Sequence, residues 1–319
     1  MKRLHHSLRL AILATAVAVL LSGCVRFTSE PRSLARDDTN FDERTLADPA
    51  LKRFVEAQLK RCLEPWPLES WDVPTLTLAA RYFRADAEKA AAWQVRANVR
   101  TNFLQHLAAQ RRLELLNVLS EIQLSIIERG RNRRSESVAR WEELSAVHTQ
   151  YAEGLMARLD ALERSIQSRI LLADAVGVPV RALLSVELSY DFSRGTSKEF
   201  APADLRRLAQ QSRSAAIVSE IERNVAAHRA AQKEVASRLA WFSAQQRKWN
   251  FLAAQAGDRT EASIELLLLE ARVAAARLAV FDAQVQVQHA LGALEDAVRQ
   301  PAELFPVVRP NEELVSPHE

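Results

Sequence analysis

Two long intervals without proline constrain this chain more than any other feature: none occurs between Pro74 and Pro179, and none between Pro202 and Pro301. Each interval is about 100 residues long, in a chain whose 11 prolines all lie elsewhere. Proline inside a helix removes a hydrogen bond and costs about 3 kcal/mol, so both intervals are expected to be helical throughout. The scarcity of glycine (seven) and of aromatics (6%) favours long helices over sheets in the same way.

Near its middle each interval carries a glycine within a polar stretch, Gly130 in ERGRNRRSES and Gly257 in QAGDRTEAS. These read as hairpin tips. Ser135 can cap the helix after the first, and Asp258 with Glu261 can form a capping box after the second. The arms are then about 55 and 46 residues in the first interval and about 54 and 43 in the second, an internal repeat of one antiparallel helical hairpin. Such arms would reach about 70 to 80 Å and need sustained side-by-side packing.

The apolar pattern supplies it. Leu266, Val273, Val280, Val287 and Leu294 recur every seven residues, each followed three places later by Leu269, Ala276, Ala283, Ala290 and Ala297. This is a coiled-coil seam with small residues that permit close approach. A second stripe, Ile264, Ala271, Leu278 and Val285, gives the same helix contacts on two sides. The other arms carry Leu115, Leu119, Ile122 and Ile126; Leu155, Leu159, Leu162 and Ile166; and Val235, Leu239 and Phe242. Two stripes suit a sheet or ring of helices, or two-sided contact inside a larger bundle. Only residues 183–192, LLSVELSYDF, alternate like a strand, with Val186, Leu188, Tyr190 and Phe192 on one side. The predicted fold is all-α, with at most that short strand or strap between the hairpins.

The first residues form a targeting segment, with Lys2, Arg3 and Arg9 before an apolar run from Leu10 to Leu21. That run is about 12 residues, short of the roughly 20 that span a membrane, which favours a cleaved signal. Its end, Leu21-Ser22-Gly23-Cys24, resembles the lipobox of bacterial lipoproteins, which implies lipidation of Cys24; the plainer alternative is an ordinary signal peptide beside a free thiol. Val25 in place of aspartate points to the outer membrane, with the protein on its periplasmic face. The formal charge of +3 falls to near neutral without the leader, which argues against nucleic acid as a partner. Cys62, left without a disulfide partner, is expected as a packed thiol. The expected organisation is signal 1–23, linker and strap 24–74, first hairpin 75–179, connection 180–202, second hairpin 203–301 and tail 302–319.

Several segments in order, LTLAARYF (76–83), AWQVRANVR (92–100), AAQRRLELL (108–116), LADAVGVP (172–179), DLRRLAQQSR (204–213) and QVQHALGALEDAVRQP (286–301), resemble the TolC family of outer-membrane efflux and secretion ducts, particularly its lipoprotein members. The resemblance implies two hairpins per protomer in a homotrimeric periplasmic α-barrel, a periplasmic adaptor at the hairpin tips and an inner-membrane pump. It also implies four membrane-spanning β-strands, inserted within each half after its first short helix. Here LTLAARYFRAD passes straight to AEKAAAWQVR, and SRSAA to IVSEIERNVAAHRAAQ, so both inserts are expected to be missing. By position, Gly130, Arg131, Arg133, Arg134, Gly257, Asp258 and Arg259 would meet the adaptor; the plainer reading of RGRNRR is a solvated turn.

No catalytic constellation accompanies this pattern. His106, His148, His228 and His289 stand alone, without metal-site spacing, and read as packed or solvated side chains. No GxSxG, HExxH or CxxC motif occurs, so neither enzyme activity nor a cofactor is expected. The expected function is the duct of a tripartite efflux or type I secretion system, and the alternative is a pore-less, lipid-anchored accessory scaffold.

Overall fold

Four long helices carry the fold, and each proline-free interval supplies two of them. The computed structural model describes residues 41–84, 92–132, 138–194, 196, 198–200, 202–209, 215–256 and 264–302. A 3-10 turn at Phe41–Glu43 is followed by α1 (Pro49–Leu59), β1 (Ser70–Trp71) and α2 (Val73–Phe83). The first hairpin pairs α3 (Ala92–Asn132) with α4 (Val138–Val176). Through α5 (Val180–Leu184), β2 (Glu187–Leu188) and α6 (Pro202–Ala209) the chain reaches the second, α7 (Ala215–Ala256) with α8 (Ile264–Val298). The expected all-α class is observed. Among the described residues, β1 and β2 form one short parallel pair, Ser70 opposite Glu187 and Trp71 opposite Leu188.

The long helices have 41, 39, 42 and 35 residues, or roughly 50 to 65 Å each. They are shorter than the expected arms, and each leading arm holds a short helix ahead of its long one. After Phe83, Arg84 turns extended (φ −103, ψ 117) and ends α2; in the second half α6 ends at Ala209 and α7 begins at Ala215. At its start α2 is fixed by a capping box, in which Asp72 accepts from the Thr75 amide at 2.9 Å and Thr75 accepts from the Asp72 amide at 3.1 Å.

Cross-links set the order of the layer. On α3, Arg100 meets Glu295 of α8, Arg112 meets Asp282, and Ile126 and Ile127 share a cluster with Ile264 and Leu267. Numbers rise along α3 as they fall along α8, so the two helices are antiparallel and both hairpin ends lie at the same end of the layer. The order across it is α4, α3, α8, α7. The two stripes of α8 follow from this position: Ala283 and Val287 pack against Val235 of α7, while Leu278, Phe281 and Val285 pack toward the core shared with α3.

That main core lies at the open end of the hairpins. Trp71, Leu76, Ala80, Val99, Phe103, Leu172 and Val176 are fully buried there. Residues 186–192 strap across it as expected, with ring contacts from Phe103 to Tyr190 (6.2 Å), Tyr190 to Phe192 (5.3 Å) and Phe192 to Phe281 (5.2 Å). The Tyr190 hydroxyl donates to Gln288 at 2.7 Å, and Gln288 in turn donates to the Phe192 carbonyl at 3.0 Å.

Helix α4 ends in a Schellman turn, with the Val178 amide donating to Ala173 and the Gly177 amide to Asp174, both at 3.0 Å. Gly177 has φ +82, and a Cβ there would lie 2.6 Å from Arg84 Cγ. Gly177→Ala is therefore expected to lower stability by about 1 to 2 kcal/mol, as read by urea unfolding. An unchanged midpoint would show that the turn tolerates a side chain.

Candidate interaction surfaces

The edges of the layer carry its most exposed apolar side chains. Helix α4 turns Ala161, Ser165, Ser168 and Leu172 inward. Small side chains on that face let the backbones approach. Its larger apolar residues point away, with Met156 68%, Leu159 60%, Leu162 45%, Ile166 56% and Ile170 50% exposed. Leu159, Leu162, Ile166 and Ile170 follow the three-and-four spacing of a packing seam, yet no neighbour covers them within the described residues. The stripe read from the sequence at Leu159, Leu162 and Ile166 is therefore on the outer side of the hairpin. On the opposite edge, α7 exposes Leu239 at 42%, Trp241 at 40% and Phe251 at 63%.

One face of the layer holds a groove of about 730 Å3 reached by all four long helices. Its floor is shallow in side chain, with Ala108 and Ala109 of α3 beside Ala279 and Ala283 of α8. Across it Arg112 pairs with Asp282 at 2.7 Å, joining the hairpins. Burial raises the Asp282 pKa and Arg112 opposes the shift. Both partners are over a third exposed, so the pair contributes at most about 1 kcal/mol.

A stronger link lies nearer the open end. Arg100, buried on α3, pairs with Glu295 and with Asp296 (2.7 Å) and donates to the Gly292 carbonyl at 3.1 Å. Trp93 donates from its indole to Asp296 at 3.1 Å. Burial raises the Glu295 pKa, while Arg100 and the Ala302 amide pull it down. Arg100 and Trp93 thus fasten α3 to Gly292, Glu295 and Asp296 of α8.

At the tips the picture differs from the expectation in one respect. Gly130 is helical and buried against Leu144, because α3 continues to Asn132; it is a packing residue and does not form the turn. Arg131 is exposed in the last turn of α3. Arg133, Arg134, Ser135, Gly257, Asp258, Arg259 and Glu261 lie outside the described residues, as does Cys24. Cys62, expected as packed, is exposed in the loop after α1, where the carboxylate of Glu56 raises its pKa.

Two histidines are core residues. His106 contacts the Ser168 hydroxyl at 3.3 Å, and burial, aided by the charge of Arg169, lowers its pKa to about 4. His228 is buried against the ring of Phe200 at 5.3 Å. Among the described residues no group of His, Cys, Asp and Glu could hold a metal ion, and no helix is long and apolar enough to cross a membrane.

No protein-family model matches the chain, and no curated protein matches it. Among solved structures it is similar to a membrane protein from Pseudomonas aeruginosa known from a crystal structure, with 14% identity, a TM-score of 0.47, and coverage of 71% of this chain and 72% of that one. At that score the likeness does not bear on function.

Proposed function

We propose that this chain is a TolC-like outer-membrane lipoprotein that forms the duct of a tripartite efflux or secretion complex. The supporting observation is the open four-helix layer with apolar side chains left on both edges. An edge led by Leu159 and Ile166 on α4, and another led by Leu239 and Phe251 on α7, are different surfaces. Joining one to the other is a heterologous contact, which closes into a ring of copies when the rotation allows. In that ring each long helix has two neighbours, and the alanine-floored face lies to one side of every protomer.

Lipidation at Cys24 would hold such a ring at the membrane, since each buried methylene contributes about 0.8 kcal/mol. Cys24→Ser is expected to move the protein from membrane fractions to the soluble fraction. Retention in the membrane would show a second attachment.

The hairpin ends, which share one end of the layer, would meet an adaptor and through it an inner-membrane pump. Reversing the charge of Arg133 and Arg134 is expected to weaken crosslinking to a periplasmic adaptor several-fold while leaving helicity intact. Unchanged crosslinking would remove the tips from the docking surface.

One observation favours the second reading, a pore-less accessory scaffold. Eight residues separate α2 from α3 and five separate α6 from α7. A pair of spanning strands needs about 9 to 11 residues each, so neither interval can hold one. A ring without these strands would act as a periplasmic collar around or beneath a pore made by another protein. Conductance across a planar bilayer distinguishes the two: steady channels support the duct, and their absence from a ring-forming protein supports the collar.

A further inference from the structure

At the open end of the hairpins, opposite the tips, lies a cavity of about 720 Å3 bordered by the start of α2, the first turns of α3, the strap after β2 and the end of α8. Four arginines line it: Arg61, Arg96, Arg100 and Arg194. Three carboxylates face them, and all three are already engaged. Asp72 accepts from the amide and the hydroxyl of Thr75 at 2.9 and 2.7 Å, and Asp191 from the amide and the hydroxyl of Ser193 at 2.9 and 2.6 Å. Glu295 is paired with Arg100.

The arginines are not engaged to the same degree. Of the four, only Arg100 forms an ion pair within 4.0 Å among the described residues. The Nε of Arg96 is shielded from solvent and has no hydrogen-bond partner, and its guanidinium lies over the ring of Trp93 at 5.9 Å. Each guanidinium carries five N–H donors, more than the second carboxylate oxygens of Asp72 and Asp191 can receive, although Arg194 lies in the field of Asp191 and Arg96 in that of Glu295. A group with several anionic oxygens matches that surplus, because guanidinium pairs with phosphate through two parallel hydrogen bonds.

We propose that this cavity binds a phosphate group, with Arg61, Arg96 and Arg194 as its donors and Arg100 as a fixed wall held by Glu295. Two sources carry that chemistry, the headgroup of an anionic phospholipid and a soluble phosphate compound. The first is favoured by position. The described chain begins at Phe41, and Leu46 and Leu51 join the core at this same end. The segment from Cys24 to Phe41 spans at most about 60 Å, so a lipid on Cys24 would tether the chain to the bilayer from this end. The choice of source rests on the lipid-anchor reading; the phosphate site does not.

The test uses the full chain with Cys24→Ser, so that no acyl group contributes to binding. Inorganic phosphate is expected to raise its thermal midpoint above that in chloride at equal ionic strength. Vesicles of phosphatidylcholine mixed with phosphatidylglycerol are expected to sediment it, whereas phosphatidylcholine alone does not. Arg96→Gln with Arg194→Gln should weaken both responses about tenfold or more. Arg61→Gln, at an exposed position, provides a second variant that leaves packing untouched. Stabilisation by phosphate without sedimentation would assign the site to a soluble phosphate compound. Neither response, or responses unchanged in the arginine variants, would overturn the site. Mass spectrometry of the wild-type chain at Cys24 tests the anchor separately, so loss of one reading leaves the other standing.

Discussion

Arg100→Ala is expected to lower the unfolding free energy of the chain by about 3 to 5 kcal/mol, because it leaves Glu295 charged, buried and without its partner. Arg100 and Glu295 are 8% and 7% exposed in their side chains, so solvent screens the pair weakly. Glu295→Leu combined with Arg100→Met is expected to recover much of the loss, since two apolar side chains leave no charge to desolvate. The effect also depends on pH. Burial raises the folded pKa of Glu295 above the ordinary carboxyl value of 4.5. A carboxyl of this kind takes up a proton on folding, so its contribution to stability is fullest below the ordinary value and falls as pH rises through the folded one. Without Arg100 the attraction that limits the shift is gone, and the fall is steeper. The deficit of Arg100→Ala relative to the parent should therefore be largest at neutral pH and narrow toward about pH 4. Urea unfolding followed by circular dichroism at both values measures it, and equal deficits would show that the link is one of packing rather than charge.

The second large effect concerns association. Leu159→Glu with Ile166→Glu is expected to convert an oligomer into monomers. In the single chain these residues are 60% and 56% exposed, so the substitutions should change monomer stability by no more than about 0.5 kcal/mol. In a ring they are buried against the next copy, and each forfeits about 1.5 to 3 kcal/mol of apolar burial as well as placing a charge in the contact. Helicity is expected to stay at the parent value while the mass falls. An unchanged mass would show that α4 is a free surface or meets something other than a second copy.

Much of the architecture was legible because long helices leave a strong negative signal. The absence of proline from two intervals and the seven-residue recurrence through Val280 and Val287 led to both hairpins, and the second stripe on α8 anticipated its two neighbours. The short strand at 187–188 and its strap were legible from alternation through Tyr190 and Phe192. The ends of α2 at Phe83 and of α6 at Ala209 were not, since no glycine or proline stands at either. Gly130 misled because a glycine beside polar residues looks like a turn, whereas here the missing side chain makes room for Leu144. The stripe on α4 was legible but the surface it serves was not: periodicity gives the stripe, and only packing tells which side it faces. Cys62 was misread for want of any local signal of exposure. The pairing of Arg100 with Glu295 joins positions far apart in the chain, and a single sequence contains nothing that links them.

Under the proposed function the layer is one segment of a closed ring. Light scattering of the full-length protein, purified in mild detergent, measures this most directly. A protein mass of three chains is the predicted result and would leave conductance to decide between duct and collar. A mass of one chain at working concentration would contradict the account, because the edges led by Leu159 on α4 and Phe251 on α7 would then have no copy to cover them.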